Sequence, residues 1–201
     1  IEGMEYEKLK ERIGNYEGLI AFGLKNDIDL SNIKWIQSLG AGVDWAVNNP
    51  SLNKDVVITR ITEGLNREVF EYVLSRILSY YQNILTYYEH QQDNLWKYLK
   101  GNTIIGKNVL VVGTGIIGSY IGQELNNLKM NVYGINYEGS DVEGFKKCFT
   151  FETLDLSIKY DVVVNILPST KETTNIFNKD FFDKVNLDVF INVGRGTAVE
   201  V

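Results

Sequence analysis

Cysteine is almost missing from this sequence: Cys148 stands alone among 201 residues. A disulfide framework is therefore excluded within the chain, and the composition predicts a reducing, cytoplasmic setting. A thiol nucleophile has little support, because "FKKCFT" carries no histidine beside its cysteine. Long apolar runs are missing too. No segment approaches the roughly 18 apolar residues of a membrane span. No basic-then-apolar leader stands at Ile1, which leaves secretion without support. Positive charge is in deficit, with 20 Lys+Arg against 26 Asp+Glu, a net charge of −6 and a pI of about 4.9. Such a surface repels phosphate backbones and anionic lipid, so neither nucleic acid nor a membrane is an expected partner. A small acidic substrate stays compatible, since local charge in a cleft can oppose the net charge. No metal site is expected.

What is present is an ordinary globular balance, 44% hydrophobic and 23% charged. That is enough chain for one large domain or two small ones. Residues 5–13 have helical character, with Leu9 and Ile13 four apart. Strands are expected in "YEGLIAFGL" (16–24), in "IKWIQSLGAGVD" (33–44) before its small-residue loop, and in "DVVITRIT" (55–62). The longest helical pattern is "NREVFEYVLSRILSYYQNILTYYEH" (66–90), with Asn66 as its expected cap. Its apolar residues, from Val69, Phe70 and Val73 through Tyr81 to Ile84 and Leu85, cover more than one face. Either a second subunit covers the excess, or the helix is wholly buried in its own domain.

Beyond it come a strand at "NVLVVG", a helix at "IGSYIGQELNNLK" and a strand at "NVYGIN". A short helical pattern lies near "ETLDLSIK". "DVVVNIL" (161–167) reads as a strand stopped by Pro168, "NKDFFDKV" (178–185) as a short helix capped by Asn178, and "DVFINVG" (188–194) as a strand ending at Gly194-Arg195-Gly196. Strands alternating with helices predict an α/β fold with a parallel sheet covered on both faces.

The stretch "VLVVGTGIIGSYIGQEL" (109–125) carries the most specific signal. Gly113 allows a sharp turn off the strand. Gly115, with no side chain, lets a pyrophosphate touch the backbone. Gly118 lets the helix pack close to the strand. The helix start then presents free N–H groups, those of Ile116 and Ile117 among them, to an anion. The alternative is a tight strand-to-helix corner with no ligand. Context favours the dinucleotide, because the glycines follow a strand, open a helix and precede a second strand. That second strand ends at Asn136, Tyr137 and Glu138. Asn136 can bond a ribose hydroxyl, and the absence of a cation there leans toward NAD over NADP without deciding it.

Taken together, "WIQSLGAGVD", "NREVFEYVLSRIL", "GNTIIGKNVLVVGTGIIGSYIGQEL", "NILPSTKETTNIFN" and "INVGRGTAVE" resemble the D-isomer-specific 2-hydroxyacid dehydrogenase family. The likeness is greatest to its glyoxylate/hydroxypyruvate reductase and phosphoglycerate-dehydrogenase-like branches. The resemblance implies a Rossmann-type doubly wound sheet over 63–201, including a long dimerisation helix. It implies part of a flavodoxin-like substrate domain over 1–62, with the active site in the cleft between the two. It further implies reduction of a short 2-oxo acid to the D-2-hydroxy acid with NAD(P)H, and the wide apolar arc of the 66–90 helix adds the expectation of a homodimer. Gly40, Ala41 and Gly42 match the family's cradle for the substrate carboxylate, although a simple tight turn fits them as well. Leu167, Pro168 and Thr173 match its cofactor-facing strand end, Val193 and Gly194 its nicotinamide neighbours, and Arg195 its active-site arginine. A fixed, always-charged fork suits a 2-oxo acid. Trp45 is either a pocket wall or core.

Reducing a ketone also needs a proton donor. The family uses a histidine–glutamate pair beyond its Gly-Arg-Gly motif. The only histidine here is His90, in "TYYEHQQ", which matches no catalytic position. The chain opens on "IEGMEYEKLK" and stops at "GRGTAVEV", and both ends read as cuts in a longer protein. The expectation is that the 201 residues alone lack appreciable reductase activity. A catalytically inert NAD(H)-binding or dimerising module is the alternative. A short-chain reductase is disfavoured, because Tyr137 is followed four residues on by Asp141 and not by lysine.

Overall fold

The computed structural model describes residues 3–62 and 64–201. The chain divides into two compact units, Ile1–Gly64 and Leu65–Val201. In the first, β1 (Gly18–Ala21), β2 (Trp35–Ser38) and β3 (Val57–Arg60) form a parallel sheet in that order. Leu19 pairs with Ile36 and Ile36 with Ile58. Helices α1 (Tyr6–Arg12) and α2 (Asp44–Val47) flank it. Ile13, Leu19, Ile28, Leu30, Ile33, Ile36 and Ala46 make its core, and Trp45 packs against them.

The second unit is a doubly wound parallel sheet of Rossmann type. Its strands are β4 (Asn108–Val112), β5 (Asn131–Ile135), β6 (Lys147–Phe149), β7 (Val162–Asn165) and β8 (Val189–Asn192), in spatial order β6-β5-β4-β7-β8. The winding reverses on either side of β4, and ligands of open α/β sheets bind at such a switch point. Helix α3 (Asn66–Tyr81) and, after a break, α4 (Ile84–Gln92) precede β4. Helix α5 (Ile116–Asn127) joins β4 to β5, and α6 (Lys179–Lys184) precedes β8.

The continuous apolar runs of the strands are explained by two cores. Val109 and Val111 pack with Val73, Ile77 and Tyr81 of α3 and with Ile121 and Leu125 of α5. Leu110 and Val112, on the opposite face, pack with Tyr160, Phe177, Phe181 and Val185. Burying both faces at about 25 cal/mol per Å² of apolar surface is the main drive for this sheet.

Three expectations need correction. The 66–90 pattern is two helices, because Asn83 adopts the left-handed conformation (φ 53°), which ends a helix. The Gln82 and Asn83 side chains then donate to the Asn102 and Lys100 carbonyls at 2.9 and 3.2 Å. Asn66 is the first helical residue and not the cap: Leu65 holds that place, and Asn66 Oδ1 is buried without a partner. No helix forms near 152–159. There Asp155 accepts from Ser157 N and Oγ at 3.0 and 2.6 Å, and Thr150 and Thr153 bond one another's backbone. Such local side-chain bonds compete with helix formation. Of the two alternatives for the apolar excess on 66–90, burial wholly within one copy of the chain is not observed. Leu85 and Tyr88 are 68% and 62% exposed, and Trp96 beyond them is fully exposed. The Asn178 cap is observed, with its side chain accepting from Phe181 N at 3.1 Å.

Among the described residues no helix is long and apolar enough to cross a membrane. No group of three or more His, Cys, Asp or Glu among them could hold a metal.

Candidate cofactor site

The turn from β4 to α5 gives each of its three glycines a different reason. Gly113 has φ +100°, and a Cβ there would stand 3.2 Å from Ile166 Cγ2. A Cβ on Gly118 would lie 1.8 Å from the Gly113 carbonyl oxygen, so the helix could not sit where it does. Gly115 is unlike both. Its backbone is extended (φ −69°, ψ −167°), a conformation any residue adopts, and a Cβ there would meet nothing within 4 Å. Neither backbone geometry nor internal packing asks for glycine at 115. The open space in front of it faces the start of α5, where no side chain caps the first turn. The free amides of Ile116 and Ile117 and the positive end of the helix dipole are suited to an anion there. The residues present therefore fit a dinucleotide pyrophosphate. Ser119 braces the turn, donating from N to Gly115 O at 2.8 Å and from Oγ to Thr114 O at 2.7 Å.

At the end of β5, Asn136 is already engaged. Its Nδ2 donates to Thr114 Oγ1 at 3.1 Å and to Ser140 O at 2.8 Å, and its Oδ1 accepts from Ser140 N at 3.1 Å. It latches the glycine turn to the 136–140 loop, so a ribose hydroxyl would have to share that amide. The Tyr137 side chain is 98% exposed.

At the end of β7, Leu167 packs into the core and Pro168 is exposed. Thr173 Oγ1 donates to Pro168 O at 2.7 Å and accepts from Thr170 N at 2.8 Å, closing the loop. At the end of β8, Val193 packs on the core and Gly194 fits tightly against Leu167. An open recess of about 410 Å³ adjoins them, walled by Asn192, Val193, Gly194 and, from α3, Glu68, Val69 and Tyr72. Arg195 is half-buried, with Nη1 donating to Gly194 O at 3.1 Å.

In the first unit, Gly40, Ala41 and Gly42 follow β2. Buried Ser38 holds them, its Oγ lying 3.0 Å from the carbonyl oxygens of Gly40 and Gly42 and accepting from Gly40 N at 3.3 Å. Arg60 Nη1 donates to Ala41 O at 2.8 Å. The carbonyls are thereby tied down, while the amides of Ala41 and Gly42 form no hydrogen bond among the described residues. Successive unbonded backbone amides in a small-residue loop are the raw material of an anion nest.

Residues 74–201 match the family model described as D-isomer specific 2-hydroxyacid dehydrogenase, NAD binding domain. The chain belongs to this family. Glyoxylate/hydroxypyruvate reductase A of Yersinia enterocolitica is 26% identical over 172 residues, 82% of this chain and 55% of that protein. A D-isomer specific 2-hydroxyacid dehydrogenase family protein from Aeromonas salmonicida has a similar structure, with a TM-score of 0.82 and 27% identity over 96% of this chain and 64% of that one. So has the NADPH-dependent glyoxylate/hydroxypyruvate reductase of Sinorhizobium meliloti, solved with NADP and sulfate, with a TM-score of 0.79 and 25% identity over 92% of this chain and 61% of that one. The chain spans about half the length of the curated relative from Yersinia.

In this member of the family the carboxyl ends of β4, β5, β7 and β8 bring together the glycine turn, Asn136, Leu167, Val193, Gly194 and Arg195. Asn165 and Asn192 hold the loops on which Leu167, Gly194 and Arg195 sit, and Ser38 holds the Gly40–Gly42 loop of the first unit. All three lie within the stretches quoted above, and none of them carries a site role there. One signal was available for the asparagines. Each is a lone amide closing an otherwise apolar strand, and a buried amide needs partners.

Proposed function

We propose that the chain is the nicotinamide-binding part of a cytoplasmic reductase that converts a short 2-oxo acid, of glyoxylate or hydroxypyruvate type, to its D-2-hydroxy acid. The observation that carries this is Gly115, whose missing side chain serves nothing inside the protein. When bound there, NAD(P)H supplies the hydride. The Ile116 and Ile117 amides would hold its pyrophosphate, and Val193 and Gly194 would flank the nicotinamide. Arg195 would pair with the carboxylate and polarise the ketone of the oxo acid. The Ala41 and Gly42 amides suit a carboxylate. NAD is favoured over NADP, since residues 136–138 are Asn-Tyr-Glu and offer a 2′-phosphate no cation.

A second reading, an NAD(H)-binding module without turnover, is favoured by one fact: the lone histidine lies on α4 and not at the strand ends. A homodimer accords with the exposed Ile84, Leu85, Tyr88 and Trp96, and light scattering is expected to give twice the chain mass.

The test of the site is Gly115→Ala, with NADH and NADPH titrated separately by calorimetry. A methyl there collides with nothing in the protein, and the stiffer unfolded chain is offset by alanine's poorer fit as the N-cap of α5, so the melting temperature should hold or fall only slightly. Overpacking against the bound pyrophosphate should weaken NADH binding about 10- to 100-fold. Equal affinity in variant and parent would remove the dinucleotide from this turn.

A further inference from the structure

Asn165 and Asn192 are the last residues of β7 and β8 and are register partners across the sheet. Asn165 is fully buried. An amide in that place must find partners for both its atoms or destabilise the fold. Its Oδ1 accepts from Leu167 N at 3.0 Å, and its Nδ2 donates to Asn192 Oδ1 at 3.0 Å. Asn192 extends the chain of bonds. Its Oδ1 also accepts from Gly194 N at 3.0 Å, and its Nδ2 donates to Arg195 O at 3.1 Å. Each oxygen meets backbone N–H groups and the last nitrogen meets a carbonyl, so only one orientation of each amide satisfies the set. Val193 N donates to Asn165 O at 2.9 Å, and a Cβ on Gly194 would lie 2.6 Å from Leu167 O. The two chain exits therefore form one braced body, and the Arg195 backbone is its far end.

We propose that Asn192, braced by Asn165, is a positioning residue that fixes the direction in which Arg195 leaves β8. Held by its own carbonyl, and with Nη1 on Gly194 O, the guanidinium is set in place before an anion arrives. A long side chain ordered in advance loses less freedom on binding. The proposal rests on the reading of Arg195 as the carboxylate partner. Asn192→Asp keeps the bonds from Gly194 N and Asn165 Nδ2 and loses the donor to Arg195 O; because it also adds a negative charge beside the guanidinium, it is paired with the uncharged Asn192→Ser.

The experiment has two readouts. The first is ¹⁵N relaxation of the Arg195 Nε–Hε group in the unliganded chain. The second is calorimetry with NADH, and with oxalate added to the NADH-loaded chain. In N192D the Arg195 heteronuclear NOE should fall toward that of exposed Arg67. Oxalate affinity should fall about tenfold, the worth of one immobilised side chain, while NADH affinity stays within about threefold. Asn192→Ser, which removes the amide without adding charge, is measured beside it, and the fall in the Arg195 NOE and in oxalate affinity should appear in both variants. An unchanged NOE overturns the proposal. So does unchanged oxalate binding where the parent chain binds it, or equal loss of NADH and oxalate affinity. Loss of cooperative melting in both variants also overturns it, since the amide would then serve the fold and not Arg195. A parent chain that binds neither probe refutes the functional reading instead, and the relaxation result still decides how Arg195 is held.

Discussion

The two ends of the five-stranded sheet are built from different chemistry. At the amino end, charges are paired with charges. Lys107 Nζ lies 2.8 Å from Asp161 Oδ1, Lys159 Nζ lies 2.7 Å from Asp188 Oδ1, and the Tyr81 hydroxyl reaches Asp188 at 3.4 Å. At the carboxyl end the loops are held by neutral amides, those of Asn136, Asn165 and Asn192. Glycines there set how closely backbones approach. The amino end is closed on itself: its charges satisfy one another and the strand starts they pin. At the carboxyl end Asn136, Asn165 and Asn192 brace the exits of β5, β7 and β8 without adding charge of their own beside the positive pole of α5 and the Arg195 guanidinium. A protein that must attract an anionic cofactor and an anionic substrate gains from that division.

The sharpest way to break this comparison is at the carboxyl end, where close packing and not charge is said to hold the structure. Gly118→Ala puts a methyl 1.8 Å from the Gly113 carbonyl oxygen, which is backbone and cannot swing aside. The start of α5 must move off β4. Overpacking of this kind costs about 3 kcal/mol or more, and thermal denaturation should register it as a large drop in melting temperature. If Gly118→Ala melted like Gly115→Ala, the distinction between a glycine kept for packing and one kept for a ligand would fail.

That distinction also marks how far the sequence could be read. The β4–α5 turn was legible because its requirements are local. A strand, three glycines and a helix stand within one continuous stretch, and each glycine's duty follows from its neighbours in the chain. The buried strands were legible for the same reason, as was the Asn178 cap. The break at Gln82–Asn83 was not, since apolar spacing carries on past one left-handed residue and hides it. Strand β6 was missed because it has only three residues, beginning with exposed Lys147. Asn165 and Asn192 are 27 positions apart in sequence and become partners only when β7 and β8 pair in register. Ser38 likewise acts on carbonyls that turn back over it. What remained hidden was the set of side-chain-to-backbone ties made by long-range pairing, and those ties shape the candidate site.

The amino end offers the gentler test. Asp161 precedes β7 and is nearly buried. Its Oδ1 accepts from Lys107 Nζ and its Oδ2 from Asn108 N, each at 2.8 Å, so it joins the starts of two neighbouring strands. Burial alone would push its carboxyl up. The Lys107 hydrogen bond, the Asn108 amide bond and the attraction of Lys107 and Lys159 more than offset this and hold it below the usual carboxylate range. A depressed folded value means the ionised form stabilises the fold. That contribution is complete above the unfolded value of about 3.9 and is lost as pH falls through the folded one. Asp161→Asn can satisfy Lys107 or the Asn108 amide, but not both, because one of its two atoms is a donor. The variant should be about 2 kcal/mol less stable at pH 7, by denaturant unfolding. The gap between parent and variant should shrink steadily below about pH 4, where the parent's carboxylate takes up its proton. NADH affinity at pH 7 should be the same in both, since this charge network serves the closed end of the sheet. A gap that stayed constant down to pH 2 would mean that the carboxylate's charge contributes nothing there, and the contrast between a charge-paired end and an amide-braced end would reduce to a difference in hydrogen-bond geometry.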